Sequence, residues 1–180
     1  KTYARNVQAK GGTIEDLVRE VRTYARYYCV IALGHAVDPS LAEAFHDIRE
    51  LKVDVSYPFL LEVFDDFDKE LLTGTDFLKV VRLVEAYVFR RAICAIPTNS
   101  LDKTFANLGR TIDKKRYLSS VQANFQSMKS YRRFPHDEEF MQELKNRDLY
   151  NFPRRSYRLR RFENFGRKER VHVDDYTIEH

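Results

Sequence analysis

A chain of 180 residues with 43% hydrophobic and 32% charged content suits one globular domain, or one domain with an appendage, and excludes a disordered polar tract. Its two cysteines exclude a disulfide framework, and no apolar run approaches the ~18 residues of a membrane span. The net charge of +4 is unevenly placed: between Arg154 and Arg170 eight basic residues face only Glu163 and Glu169, so that segment carries +6 and the remainder −2.

Residues 1–12 are polar, end in Gly11-Gly12, and read as a linker from an upstream domain. The chain begins at Lys1 without Met, as expected of a piece of something longer. Thr13 is placed to cap a helix, with Asp16 positioned to reach back in a capping box. Ile14, Leu17, Val18, Val21, Tyr24, Ala25, Tyr28 and Cys29 recur at helical spacing up to Gly34. Asp38-Pro39 opens a second helix, where a proline's missing N–H costs nothing. Its predicted buried face is Leu41, Ala44, Phe45, Ile48 and Leu51.

Ser56-Tyr57-Pro58 starts a third helix with the stripe Phe59, Leu60, Val63, Phe64, Phe67 and Leu71. Glu62, Asp65, Asp66, Asp68 and Glu70 surround it and read as a solvated face rather than a metal site. From Asp76 to about Ala95 the helix is apolar nearly all round, which predicts a buried central strut. Its polar exceptions are Arg82, Glu85, Arg90 and Arg91. A Glu–Arg pair with arginines favouring the C-terminal end is one reading; arginines that organise a neighbouring site is the other.

Leu101, Phe105, Leu108 and Ile112 predict a fifth helix. Asp113 caps a sixth carrying Tyr117, Leu118, Val121, Phe125 and Met128. The basic loop from Lys129 to Arg133 follows. A short seventh helix opens at Phe134-Pro135-His136-Asp137 and is expected to bury Phe140, Met141 and Leu144. Cys29 and Cys94 fit buried thiols of a reducing, cytoplasmic setting. The body is therefore expected over 13–152 as an all-α multi-helix bundle.

Residues 153–180 form the appendage. Tyr157, Leu159, Phe162 and Phe165 are expected to hold a basic helix to the body. Its cations Arg154, Arg155, Arg158, Arg160, Arg161, Arg167, Lys168 and Arg170 are expected to radiate outward. Such a helix can track DNA phosphates with little base specificity; pairing with the acidic third helix is the alternative. After Gly166 the pattern Val171, Val173, Tyr176, Ile178 approaches a period of two and predicts a short β segment.

Several stretches carry a family resemblance. Phe89-Arg90-Arg91-Ala92-Ile93-Cys94, then Pro97-Thr98-Asn99-Ser100-Leu101-Asp102-Lys103-Thr104-Phe105, resembles the start of the C-terminal domain of GmrSD-type modification-dependent restriction endonucleases. The same order continues in Arg133-Phe134-Pro135 with Glu139-Phe140, in Leu149-Tyr150, and in Tyr157-Arg158-Leu159-Arg160-Arg161-Phe162-Glu163. Tyr176-Thr177-Ile178-Glu179-His180 is similar to that family's Ile-Glu-His-Ile-x-Pro signature, cut after its histidine. The resemblance spans about residues 75 to 180, and residues 13 to 74 correspond to the helical region after an N-terminal nucleotide-binding domain.

The resemblance implies a DNA endonuclease that restricts phage or foreign DNA, with an upstream domain that binds and hydrolyses nucleotide. It implies an HNH-type ββα hydrolase site with a divalent metal such as Mg²⁺. His180 would then be the general base that activates water, and the basic helix would contact DNA. His172, Glu85, Arg90 and Arg91 would support the site. The proline, the later Asn and the second His of the pattern do not occur in these 180 residues, so catalysis is not expected of this chain alone. His35 is expected at the surface, His46 partly buried and His136 in a turn. The competing readings are a non-catalytic helical module coupling a nucleotide-binding domain to an effector, and a helical nucleic-acid-binding domain.

Overall fold

The computed structural model describes residues 12–35, 38–169, 171 and 173. They form eight α-helices and no strand: α1 (Ile14–Leu33), α2 (Pro39–Glu50), α3 (Tyr57–Asp68), α4 (Gly74–Ile93), α5 (Leu101–Leu108), α6 (Tyr117–Ser127), α7 (Asp137–Asn146) and α8 (Arg155–Glu163). The all-α body is as expected. Among the described members of the predicted β segment, Val171 and Val173 are not in a strand, and Tyr176 and Ile178 lie outside the described residues.

The helix ends follow their capping chemistry. Thr13 Oγ1 accepts from the Asp16 amide at 3.1 Å while the Thr13 amide donates to the Asp16 carboxylate at 3.0 Å, a complete capping box. Gly34 closes α1 in the left-handed conformation with φ 80°, which only glycine adopts cheaply. Arg49 of α2 donates to the Ile31 carbonyl at 2.8 Å and so satisfies that end from outside. Asp38 accepts from the Leu41 amide at 2.8 Å, and Thr73 from the Asp76 amide at 3.1 Å.

α4 is the central strut. Phe77, Val80, Val81, Val84, Tyr87, Val88 and Ile93 are buried, and α2, α3, α6 and α7 pack around it. The aromatic residues fill the spaces between helices. Tyr27 of α1 stacks on Phe64 of α3 at 4.5 Å between ring centroids, and Phe64 and Phe67 meet Phe77 edge-on or tilted. Towards the other end Tyr87 meets Phe125 at 4.8 Å, and Phe89 gathers Phe140, Phe152 and Tyr157.

Four expectations need correction. α1 buries Tyr27 and Ile31, whereas Ile14, Val18 (61%), Val21 and Tyr28 stay exposed, because α1 meets α3 and α2 mainly through its second half. α3 is not wholly solvated on its acidic side: Asp66 is buried, accepting from Tyr117 Oη at 2.6 Å and from Lys114. Met141 of α7 is exposed. Phe162 and Phe165 are 59% and 88% exposed, so neither pins α8; buried Tyr157 does. Among the described residues no helix is long and apolar enough to cross a membrane.

Candidate functional site

The site begins with a carboxylate on an apolar face. Asp47 lies three residues after Ala44 and one before Ile48, so folding α2 onto α4 carries it fully inside. Glu85 of α4 arrives the same way, four residues after Val81. Two buried carboxylates on neighbouring helices must be paired or neutralised. Arg82, one turn before Glu85, does both: it donates to Asp47 Oδ2 and to Glu85 Oε2 at 2.7 Å, and lies 3.4 Å from Glu43.

α8 closes the cluster from the other side. Arg160 Nη2 donates to Asp47 Oδ1 at 2.6 Å, and Tyr157 Oη donates to Glu85 Oε1 at 2.6 Å. Arg161 Nε stands 3.4 Å from Glu85 Oε1 and its Nη1 3.9 Å from Asp47 Oδ2. Three arginines thus meet three carboxylates, and the cluster is neutral. Burial alone would lower the Arg82 pKa, but Glu85 and Asp47 together hold it above the ordinary guanidinium value. Burial, reinforced by the Glu85 charge, raises the Tyr157 hydroxyl well above its ordinary value. The arrangement binds helix to helix. Both oxygens of Asp47 and of Glu85 are already engaged, while Arg160 Nε is buried without a hydrogen-bond partner.

The predicted cations separate into two sets. Arg158 is buried and donates to the Leu149 carbonyl at 2.5 Å, and Arg154 donates to the Leu51 carbonyl. With Arg160 and Arg161 paired into the cluster, these four have partners within the body, although the Arg161 side chain stays 45% exposed. They do not pair with the acidic third helix, the alternative expected from sequence; their partners are carboxylates of α2 and α4 and main-chain carbonyls. Arg155, Arg167 and Lys168 are exposed, and Arg167 pairs with Glu163 at 2.6 Å. Arg170, His172 and His180 lie outside the described residues.

The α4 arginines also split. Arg90 pairs with Asp137 at 2.5 Å, donates to the Pro135 carbonyl at 3.1 Å, and lies over the Phe134 and Phe140 rings, so it secures the start of α7. Arg91 is buried and bonds loop carbonyls instead of an acid. The Arg82–Glu85 pair expected on spacing is present, and Glu85 additionally reaches α8. Cys29 and Cys94 are free thiols, and burial pushes the Cys94 thiol up, away from nucleophilic character. The described residues contain no group of three or more His, Cys, Asp and Glu arranged to hold a metal ion.

Sequence reasoning missed Asp47 and Glu43 on α2 and the hydrogen-bonding role of Tyr157. A signal existed for Asp47: an acid in register with an apolar stripe. Against known proteins, the chain matches no family model, no curated protein and no solved structure.

Proposed function

We propose that this chain is a helical fragment of a GmrSD-like DNA restriction endonuclease, supporting an HNH-type metal-dependent phosphodiesterase site that is incomplete in these 180 residues. The ordered series of motifs from Phe89 to His180 carries the reading. The structure lends support through the anchoring of α8, which ties the start of the nuclease segment to α2 and α4 through Asp47 and Glu85. Beyond α8, the Val171 amide donates to Asn164 Oδ1 at 2.8 Å, the Asn164 amide group donates back at 3.0 Å, and Val173 is buried. The described chain after α8 is thus held against the body as far as Val173.

In this reading His180 is the general base, and Mg²⁺ or a similar divalent ion supplies electrostatic stabilisation of the phosphodiester when bound. No described residue set is arranged as its ligands, so no step is assigned to it. DNA contact falls to Arg155, Arg167, Lys168 and Arg170 with half-exposed Arg161, because Arg158 and Arg160 spend hydrogen bonds inside the protein and Arg154 is tied to the Leu51 carbonyl. An upstream nucleotide-binding domain in the same parent chain completes the assembly, acting in the cytoplasm against foreign DNA. The parent protein carrying His180→Ala is expected to retain DNA binding and lose cleavage in Mg²⁺. Cleavage at the parental rate would remove the site assignment.

One observation favours a second reading, a non-catalytic coupling module. Ile14, Val18, Val21 and Tyr28 leave an apolar strip along α1, beside the linker that would lead to the upstream domain. Under that reading, neutralising Arg155, Arg167 and Lys168 leaves DNA affinity unchanged.

A further inference from the structure

Arg91, like Arg158, is a buried arginine that meets no carboxylate, but Arg91 lines a cavity with other cations and no acid, whereas the cavity at Arg158 includes Glu85. It is 2% exposed. Its Nη1 donates to the Tyr131 carbonyl at 2.6 Å, and its Nη2 to the Pro97 carbonyl at 2.7 Å and Ser100 Oγ at 3.3 Å. All three acceptors are neutral. Its Nε is buried and has no partner. Burial holds its pKa below the ordinary guanidinium value. Arg82, on the same helix two turns earlier, is matched by three acids. Removing a cation from water without a counter-ion is costly, and such a group calls for an anion.

Arg91 lines a cavity of about 200 Å³ at the junction of the α2 end, the loop after α4 and the start of α8. Lys52, Thr98 and Arg154 line it too, above an apolar wall that includes Val88 and Leu101. No carboxylate is among the described lining residues. Two of its three cations sit on strained backbone: φ is 52° at Lys52 and 72° at Arg154, a region that disfavours side chains with a Cβ. Strain of this kind is retained where surrounding structure holds a side chain in a required place. Arg154, which lines the cavity, is fixed further by its Nε bond to the Leu51 carbonyl.

We infer that this cavity is an oxyanion site that takes a single phosphate group between Lys52, Arg91 and Arg154, with the Thr98 hydroxyl as a further donor. The size selects the ligand. Pockets for whole drug-sized molecules run to roughly 300–1,000 Å³, whereas a tetrahedral oxyanion with a few waters of ~30 Å³ each fills this one. Guanidinium groups match phosphate oxygens in a fork geometry, and a lysine adds a point charge. The phosphate belongs either to a nucleic-acid backbone or to a free nucleotide. The site does not rest on the nuclease reading, since it uses neither His180 nor the exposed cations Arg155, Arg167 and Lys168.

The test is titration of the 180-residue chain with inorganic phosphate at constant ionic strength, read by thermal unfolding and by the NMR signal of the Arg91 Nε–H. A saturable rise in Tm beyond a chloride control, with a shift of that signal, is expected. Lys52→Gly separates binding from folding: it relieves the positive φ and raises Tm without phosphate, yet loses the phosphate response. Arg154→Gln weakens phosphate binding about tenfold or more, while Arg22→Gln, an exposed cation of α1 outside the lining, leaves it unchanged. A response equal to that of chloride, or one that survives in both Lys52→Gly and Arg154→Gln, overturns the inference. Displacement of phosphate by a short DNA duplex assigns the site to a backbone phosphate, and displacement by a mononucleotide assigns it to a free one.

Discussion

Two tyrosine hydroxyls show how single side chains set the stability of this body. Tyr117 donates to buried Asp66 and Tyr157 to buried Glu85, each at 2.6 Å. Hydrogen bonds to charged groups contribute about 1.5–3 kcal/mol, so Tyr157→Phe is expected to destabilise by that amount in urea unfolding. Burial first, and then the neighbouring carboxylate, raises both hydroxyl pKa values above the ordinary tyrosine value. Both groups therefore ionise less readily folded than unfolded. Their contribution is fully present below the unfolded pKa near ~10 and is lost as pH rises through the folded values. Urea midpoints measured from neutral to alkaline pH should fall above that point, and the Tyr117→Phe/Tyr157→Phe double variant should fall less steeply. Gly34 is a different kind of determinant. Its φ of 80° and the Arg49 Nη2 atom 3.2 Å from an ideal Cβ predict that Gly34→Ala costs about 1 kcal/mol, read as a lowered Tm.

Among the elements, α8 adds a network of polar contacts to the packing of its Tyr157 ring on Phe89. Its Phe162, and Phe165 just past its end, face water, and its polar attachment runs through Tyr157, Arg160 and Arg161 to Asp47 and Glu85. Removing one member of a buried charge pair costs about 3–5 kcal/mol, because its partners remain buried and unmatched. Asp47→Ala is therefore expected to cost that much. It should also speed amide exchange in α8 ahead of α4, since α4 keeps its apolar packing. Equal acceleration in both helices would mean that the cluster stabilises the core as a whole and does not specifically secure α8. The same geometry explains the error in reading the basic segment. Net charge counts cations but does not say which are spent on buried acids, and Asp47 and Glu85 come from helices more than sixty residues upstream.

For the whole molecule, the distribution of exposed groups decides how it meets partners. If Arg155, Arg167 and Lys168 contact DNA phosphates, replacing all three by Gln lowers the slope of log K against log salt by about 2.7 in magnitude, at ~0.9 per phosphate contact. Affinity should fall by a similar factor for unrelated sequences, because phosphate contacts carry no base information. On the opposite side of the argument stands the α1 strip. Val18→Glu is expected to change the stability of this chain by less than about 0.5 kcal/mol, since Val18 is exposed. In the parent protein the same substitution should weaken contact with the upstream domain if the strip is covered there, as read by limited proteolysis at Gly11-Gly12.

Local chemistry written in the chain determined most of the helices. Capping residues at Thr13 and Asp38, the stop at Gly34, and the apolar periodicity of α2 to α6 act within a few residues, so they are legible without a fold; the Thr73 cap, which starts α4 at Gly74 ahead of the expected Asp76, is missed by the sequence reading. The apolar circumference of α4 likewise announced its central place. Tertiary structure alone decided which charges face inward. Arg160 meets Asp47 across 113 positions and Tyr157 meets Glu85 across 72, and no local pattern encodes such a pairing. It also decided that Arg91 is buried without an acid while Arg82 has three, although both are arginines on one helix. The physical reason is that burial depends on which neighbour arrives. A helix fixes the direction of its side chains, and only packing determines whether water, a carboxylate or an empty cavity lies at the end of them.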